Sequence, residues 1–249
     1  MILGDIDGDV GRITLDRPEA HNALDQIAMR RLSALLADWT GREKQLRALV
    51  VTGRGRSFCA GAALGDVAGA DWSENPLSLA CDALEEFPAP TIAALNGGVY
   101  GGGVELALAC DFRVGVDGMR AFAPPARLGI HYEPAGIRRA IERLGAQTAR
   151  RMFLLAETFD ADALLETGFL DHLVPPKELD ARVAELVGTL TGLAPLAVRG
   201  MKRTIIELSR GSLDAEAARA RVAACFASAD HAEGLAAQRE RRAPRFEGR

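Results

Sequence analysis

The sequence predicts an α/β fold in which β-rich turns stack on one another and a mainly helical region follows. Two apolar runs of strand length, residues 48–52 and 91–95, each lead into a loop of small residues and then into a helix-like segment. After about residue 136, helical periodicity dominates the chain. The repeated unit indicates buried strands whose following loops open on one side of the stack.

The elements outside these two units follow from the spacing of apolar residues. Residues 10–15 and 112–116 read as short strands, and residues 25–39 as an amphipathic helix with apolar side chains at helical spacing. Pro18 breaks the segment between the first strand and this helix, which predicts a loop over residues 16–24.

Helical patterns account for most of the C-terminal half. Pro195 is expected in the first turn of one of these helices, where its missing N–H costs nothing. We divide the chain into a core, residues 1–192, and a C-terminal helical region, residues 193–249. The predicted helices span residues 137–144, 148–156, 161–166, 179–190, 196–208, 215–227 and 229–242.

Size and composition exclude several classes of protein. A chain of 249 residues with 48% hydrophobic residues can bury a full core. A net charge of −4 gives no reason to expect nucleic acid as the main partner. The four cysteines are widely spaced without a Cys-x-x-Cys pair, which argues against a zinc ribbon or a disulfide framework and favours a reducing compartment. An acidic N-terminus and the lack of a long apolar run predict a cytoplasmic protein that does not span a membrane.

A glycine cluster marks the expected binding loop. Residues 97–103 hold five glycines in seven positions, although each glycine inside regular structure costs roughly 0.5–1 kcal/mol relative to alanine. The cluster therefore indicates positive φ angles or a ligand that touches the backbone. The spacing matches neither of the common phosphate-binding patterns, Gly-x-Gly-x-x-Gly and the P-loop. Free N–H groups at the start of the next helix would suit an oxyanion.

Four local motifs along nearly the whole chain resemble the crotonase superfamily, the family of enoyl-CoA hydratases and isomerases. Each motif is modest evidence, whereas four in the right order and at the right separations are highly specific. The motifs are Arg17-Pro18 with Asn22-Ala23-Leu24, then Ser57-Phe58-Cys59-Ala60-Gly61-Ala62, then Asn96-Gly97, and finally Gly101-Gly102-Gly103-Val104-Glu105-Leu106-Ala107 followed by Asp111.

The resemblance implies a crotonase-like spiral of stacked ββα turns and an acyl-CoA substrate. It implies that the backbone N–H groups of Ala60 and Gly102 grip the thioester oxygen as it becomes an enolate. It also implies a homo-oligomer, a trimer or a dimer of trimers, in which the C-terminal helices make the contacts and cover the CoA pocket. Coenzyme A enters as part of the substrate, with no other cofactor and no metal. Further contacts with the substrate or CoA are implied for Ala23, Phe58, Gly61, Ala62, Leu64 and Gly101.

The chain departs from the hydratases of the family at one decisive position. Glu105 matches the first of their two catalytic glutamates, but the position of the second falls on Pro125, which cannot carry a proton. Eight residues further, Glu133 falls where some isomerases of the superfamily and a dehalogenase carry an aspartate. A carboxylate there could move a proton between substrate carbons. Glu105 and Glu133 are therefore the candidate catalytic residues.

Each candidate also has a purely structural interpretation. Glu105 could simply complement the dipole of its helix, and Glu133 could be an exposed loop acid. His131 and Tyr132 could line the pocket or be structural, and Cys59 reads as a small packing residue because no base is paired with it.

Three functions remain open at this point. The favoured one is an enzyme that shifts the double bond of an enoyl-CoA, and its main rival is a hydratase that uses Glu105 alone as acid and base. The possible enzyme functions also include ketone-forming, dehalogenating and decarboxylating variants of the same enolate chemistry. The third function is binding of acyl-CoA without turnover.

Overall fold

The computed structural model describes residues 1–41, 46–63 and 75–249. Within those ranges the chain forms ten strands. They are β1 (Ile2–Asp7), β2 (Val10–Leu15), β3 (Ala48–Gly53), β4 (Ser57–Cys59), β5 (Thr91–Leu95), β6 (Gly98–Tyr100), β7 (Phe112–Val116), β8 (Arg120–Phe122), β9 (Phe159–Asp160) and β10 (His172–Val174).

Nine α-helices lie in the same described ranges, and short 3-10 turns occupy residues 18–20, 125–128 and 176–178. The helices are α1 (Gln26–Thr40), α2 (Pro76–Glu85), α3 (Gly102–Ala109), α4 (Pro134–Leu154), α5 (Ala161–Glu166), α6 (Leu179–Thr191), α7 (Pro195–Ser209), α8 (Ala215–Phe226) and α9 (Ala229–Glu240).

The strands form two sheets that the chain visits in alternation. One sheet has the order β1-β2-β3-β5-β7-β10 and the other the order β4-β6-β8-β9. The pairs β1–β2 and β8–β9 are antiparallel, whereas β3, β5 and β7 pair in parallel, as do β4, β6 and β8. The successive units β3-β4-α2, β5-β6-α3 and β7-β8-α4 are therefore ββα turns of one spiral, and the predicted fold class is confirmed.

Four of the six strands of the larger sheet, β2, β3, β5 and β7, agree with the sequence prediction, whereas β1, β10 and the strands of the smaller sheet were missed. β4 and β6 lie inside segments that were interpreted as loops, and each has only three residues. Parallel pairing of Ser57 with Gly98 and of Cys59 with Val99 joins them. The segments are too short to show periodicity, so their strand character depends on this pairing between distant parts of the chain.

The helix boundaries follow local signals. The Asp25 side chain accepts from the Ala28 N–H and caps α1, and Pro195 occupies the first turn of α7 as predicted. The two helices predicted over residues 137–144 and 148–156 are joined as α4, which is interrupted at Gly145 with a φ of 77°.

The core lies between the two sheets and the helices that cover them. β5 is buried along its whole length, and α1 turns Leu32, Leu36 and Trp39 inward. The predicted boundary between residues 192 and 193 falls in the link between α6, which packs against β3, β5 and β7, and α7. No single helix of the described residues is long and apolar enough to cross a membrane. Among those residues, one pair of helices, residues 176–191 and 195–209, would be long and apolar enough if the two were counted as one span, but they are bent by 105° relative to each other.

Candidate active site

Two loops that are forty residues apart in sequence meet backbone to backbone. A Cβ atom added to Gly61 would lie 2.3 Å from the Gly102 nitrogen, and one added to Gly103 would lie 2.4 Å from the Cys59 carbonyl oxygen. Gly101 and Gly61 also adopt positive φ angles of 53° and 80°. The glycines thus serve chiefly to let protein backbone approach protein backbone, which brings the amides of the two loops together.

The amide of Ala60 is not available for a substrate. Its N–H donates to the carbonyl of His21 at 2.9 Å, so the expectation of an open donor at Ala60 is corrected. The next loop residues form a parallel bridge with Leu24 through the N–H groups of Leu24 and Ala63. The Ala62 N–H takes no part in that bridge, and the Ala62 nitrogen lies 3.6 Å from a Cβ added to Gly102.

The backbone N–H of Gly102 is the second amide at the point where the two loops meet. Gly102 is the first residue of α3, where backbone N–H groups have no partner within the helix and the helix dipole favours negative charge. Ala62 and Gly102 therefore form the pair of neighbouring amides that sequence reasoning assigned to Ala60 and Gly102.

Asn22 holds the first of these loops in place. Its Nδ2 atom donates to the carbonyls of Arg54, Ser57 and Phe58 at 2.9, 2.8 and 3.2 Å, and its Oδ1 accepts from the Arg17 N–H at 2.9 Å. Asn22 is 1% exposed and has a positive φ of 58°. Through these bonds Asn22, the asparagine of the first motif, supports the loop.

Glu105 lies in the first turn of α3 with only 3% of its surface exposed. Burial raises the pKa of Glu105 to about 7, and Arg139 opposes that rise. A carboxyl group with such a pKa can accept and return a proton near neutral pH. These surroundings favour the catalytic interpretation of Glu105 over the helix-dipole interpretation.

Arg139 is the cation at the centre of this site. It is wholly buried in α4, and its Nη1 and Nε atoms donate to Glu105 at 2.7 Å and to Glu85 at 3.1 Å. It also pairs with Asp82 of α2. Burial opposes ionisation of Glu85, but the Arg138 hydrogen bond and the charge of Arg139 outweigh it and lower the pKa of Glu85 to about 2.

Glu133 lies beside the same site. It is half-buried at the start of α4, and its negative charge contributes to raising the pKa of Glu105. Three residues on, an added Cβ at Gly136 would lie 2.8 Å from Oε2 of Glu105 and 2.5 Å from the ring of Tyr132. The Tyr132 hydroxyl donates to the Gly101 carbonyl at 3.2 Å. The structure therefore brings Glu105, Glu133 and Tyr132 together with the glycine loop.

Pro125 is buried and opens the 3-10 turn at residues 125–128. The place of the second hydratase glutamate therefore holds an apolar ring. Cys59 is wholly buried, and burial raises its pKa to about 12, so this thiol packs as predicted and is not an ionised nucleophile. His131 is exposed, and its ring contacts the Tyr132 carbonyl.

The remaining predicted substrate contacts differ in how far the structure describes them. The side chain of Phe58 is wholly buried, so only its backbone could meet a ligand. Ala23 is half-buried next to the Leu24 bridge. Leu64 lies outside the described residues. Among the residues that the structure does describe, no group of three or more His, Cys, Asp or Glu is placed to hold a metal ion.

Sequence reasoning missed Arg139, Gly136 and Asn75, whose Nδ2 atom donates to Oε1 of Glu133 at 3.2 Å. Arg139 lies in a helical pattern rich in charges, and it meets Glu105 only because α4 packs against α3. A signal was nevertheless present, since a buried carboxylate needs a cation or a donor nearby. The arginines of the following helix, α4, were therefore the candidates for a partner of Glu105.

Stacked ββα turns, two neighbouring loop amides and a buried glutamate are together typical of the crotonase superfamily. The sequence model of the enoyl-CoA hydratase/isomerase family matches residues 5–249. The chain is 34% identical to a probable enoyl-CoA hydratase of Mycobacterium leprae over 95% of both proteins, and 32% identical to an enoyl-CoA isomerase/hydratase of Mycosarcoma maydis over 96% of this chain and 93% of that protein.

Solved structures agree. An enoyl-CoA hydratase from Bacillus anthracis superposes with a TM-score of 0.90 at 28% identity, covering 100% of this chain and 99% of that chain. An enoyl-CoA hydratase/carnithine racemase from Magnetospirillum magneticum gives a TM-score of 0.92 at 26% identity, with 100% and 96% covered. The protein belongs to the enoyl-CoA hydratase/isomerase family, whose enzymes act on acyl-CoA thioesters.

Proposed function

We propose that this protein shifts the carbon–carbon double bond of an enoyl-CoA thioester. The amides of Ala62 and Gly102 bind the thioester oxygen, Glu105 removes a proton from the substrate, and Glu133 delivers a proton to the far end of the allylic system. No residue in the proposal replaces the water-activating partner of a two-glutamate hydratase.

The observation that carries this proposal is the placement of the two carboxylates. Glu105 is buried with a pKa of about 7, Glu133 is close enough to influence that pKa, and the buried Pro125 has no proton to give. Two carboxylates in unlike surroundings, one buried and one half-exposed, suit a reaction that takes a proton from one carbon and adds one to another.

The chemistry balances without a co-reactant. Glu105 takes a proton from carbon 2 of a 3-enoyl thioester, and the electron pair spreads into a dienolate whose oxygen lies between the two amides. The Glu133 carboxyl then gives its proton to carbon 4, which yields the 2-enoyl thioester, and exchange with solvent removes the proton from Glu105 and returns one to Glu133. One pre-aimed amide donor is worth about 10²–10³ in rate in this kind of reaction.

The test uses 2-enoyl and 3-enoyl CoA thioesters in deuterated water. We expect deuterium at carbon 2 and interconversion of the two isomers, both abolished by Glu105→Gln. Glu133→Gln should preserve exchange at carbon 2 and slow the movement of the double bond. If both thioesters bind without exchange or interconversion, the enzyme proposal is wrong and acyl-CoA binding without turnover takes its place.

Hydration is the second candidate, because several similar proteins are named enoyl-CoA hydratases. With Pro125 in place of a second glutamate, Glu105 would have to act alone as acid and base. A 3-hydroxyacyl product formed from a 2-enoyl thioester, at a rate above double-bond movement, would favour hydration over our proposal.

We further propose that the chain assembles as a trimer or a dimer of trimers through its C-terminal helices. Exposed apolar side chains support this, since Met201, Ile205 and Leu208 form a stripe along α7 and Phe226 ends α8 with 69% of its surface exposed. An exposed apolar stripe of this kind is typical of an association surface. Sedimentation equilibrium tests it, and a monomer would contradict it.

A further inference from the structure

The side chain of Asn75 makes two kinds of contact at once. Its Oδ1 atom accepts from the N–H groups of Leu77 and Ser78 at 3.0 and 3.3 Å and so caps α2. Its Nδ2 atom donates to Oε1 of Glu133 at 3.2 Å. One amide therefore joins the start of α2 to the start of α4.

The capping bonds fix which way this amide points. Backbone N–H groups need an acceptor, so the oxygen of Asn75 must face the N-terminus of α2 and the nitrogen must face away from it. The nitrogen then meets Glu133. The Asn75 N–H that donates to Glu133 is therefore oriented by the capping bonds of α2, and those bonds do not involve Glu133.

Glu133 receives little guidance from its own helix. It occupies the cap position of α4, yet its carboxylate makes no capping hydrogen bond with the helix N-terminus. The hydrogen bond from Asn75 therefore restricts the directions in which this half-buried carboxylate can point.

We infer that Asn75 is a positioning residue that aims Glu133 at the substrate for the proton-delivery step. This inference rests on the proposed function, because it requires Glu133 to move a proton. Asn75 itself touches no reacting atom in the proposal, and its effect passes through the orientation of Glu133.

Two substitutions separate this role from helix capping. Asn75→Ser keeps a good capping oxygen and removes the amide donor. Asn75→Asp also keeps the cap, and its negative charge interacts favourably with the dipole at the N-terminus of α2. It replaces the N–H donor that faces Glu133 by a carboxylate oxygen. Since both substitutions keep the cap, we expect both proteins to unfold in one cooperative transition close to the wild-type temperature, with repulsion from Glu133 offsetting the gain at the helix N-terminus in Asn75→Asp.

We expect Asn75→Ser to slow double-bond movement about tenfold, the size of one lost hydrogen bond to a charged group, with KM unchanged. Asn75→Asp should slow it further. Deuterium exchange at carbon 2, which depends on Glu105, should stay near the wild-type rate in both variants, so the ratio of exchange to isomerisation rises. A merely structural role for Asn75 would lower both rates together and leave that ratio unchanged.

A double-mutant cycle with Glu133→Gln completes the test. If Asn75 acts through Glu133, then Asn75→Ser has no further effect in the Glu133→Gln background. The inference is overturned if Asn75→Ser keeps the wild-type isomerisation rate, or if its effect adds in full to that of Glu133→Gln. If Glu133→Gln alone changes nothing, the proposed role of Glu133 fails, and the role of Asn75 fails with it.

Discussion

Arg139 donates from Nη1 to Oε1 of Glu105 at 2.7 Å, and both side chains are almost completely withdrawn from solvent. Two further carboxylates, those of Glu85 and Asp82, pair with the same guanidinium. The Arg139 guanidinium is thus shared by three acids. This sharing is consistent with the raised pKa of Glu105, because the guanidinium offsets only part of the cost of burial.

Activity should rise with pH through about 7, because the proposed base works only when Glu105 is ionised. Arg139 lowers the pKa of Glu105, so weakening this contact should move the rise to higher pH. Arg139→Lys keeps a positive charge but loses the planar fork that reaches three acids. We expect kcat/KM of this variant to fall most at pH 6 and to approach the wild-type value at alkaline pH.

Arg138→Lys is the matched control for this pH profile. Arg138 is next in the chain and pairs with Glu85 and Glu142, without a contact to Glu105. Its profile should keep the wild-type midpoint. Equal profiles for Arg139→Lys and wild type would show that Arg139 does not set the ionisation of Glu105.

The contribution of the Gly102 N–H can be tested with proline, which has no N–H. Gly102 begins α3, a position where proline is well tolerated. Gly102→Ala and Gly102→Pro both add a Cβ, which would meet Cδ2 of Leu77 at 2.2 Å, but only proline loses the N–H. Proline should lower kcat by about 10²–10³ relative to alanine. Single-turnover rates measure this difference, and equal rates would exclude Gly102 as an oxyanion donor.

Gly136 should tolerate no side chain without a loss of activity. A Cβ there would lie 2.8 Å from the carboxylate of Glu105, which Arg139 prevents from moving away freely. We expect Gly136→Ala to lower kcat by up to about 10²-fold, the cost of a misplaced catalytic group. Gly188→Ala is the control, because it lies in a helix with no atom within 4 Å of the added Cβ. That control should keep full activity.

Much of the larger sheet could be predicted from the sequence because its strands are continuous apolar runs, as at residues 91–95. The smaller sheet could not, since a three-residue strand such as Gly98–Tyr100 shows no period and is defined by its partner. The glycine cluster indicated backbone contact correctly, but it could not say whose backbone. For Gly103 the partner is the carbonyl of Cys59 and not a ligand.

In the site too, residues that belong to a local sequence motif could be predicted, whereas contacts between residues far apart in the sequence could not. Glu105 could be found from its motif, because the helix start and the glycines are local in sequence. The choice between Ala60 and Ala62 depends on which amide the His21 carbonyl occupies, and that contact joins residues 39 positions apart. Arg139 likewise reaches Glu105 across 34 positions.

Glu85 should make stability depend on pH in the acid range. Its pKa in the folded protein, about 2, lies below the ordinary value of 4.5, so the unfolded chain takes up its proton first as pH falls. The stabilisation is therefore complete above about pH 4.5 and disappears as pH falls towards 2. Glu85→Gln should cost about 3–5 kcal/mol at pH 7, as expected for breaking a buried ion pair, and much less near pH 2.

Urea unfolding at a series of pH values measures this difference. Glu157→Gln is a suitable control, because Glu157 pairs with Arg151 at a more exposed position and exposed pairs contribute little. Its unfolding free energy should follow that of the wild type at every pH. A Glu85→Gln deficit that is the same at pH 7 and near pH 2 would contradict the assignment of this acid-range dependence to Glu85.

Lys202 of α7 should tie the C-terminal helices to the core. Its Nζ donates to Oδ2 of Asp111 at 2.7 Å and to the Ala89 carbonyl at 3.0 Å, and Lys202 is 8% exposed. Asp111 also accepts from the N–H of Thr91 at 2.7 Å, so one carboxylate holds both the start of β5 and the helix. The motif aspartate therefore has a structural role in joining these elements.

Lys202→Met leaves the Asp111 carboxylate without its cation, and we expect a loss of about 3–5 kcal/mol. Asp111→Asn in the same chain removes that unpaired charge, so the double variant should lose clearly less than the sum of the two single losses.

Denaturant unfolding followed by both tryptophan fluorescence and circular dichroism measures these free energies. Coincident transitions in all variants would mean that residues 193–249 unfold with the core. Separate transitions in Lys202→Met would instead show that this ion pair couples two units able to unfold independently.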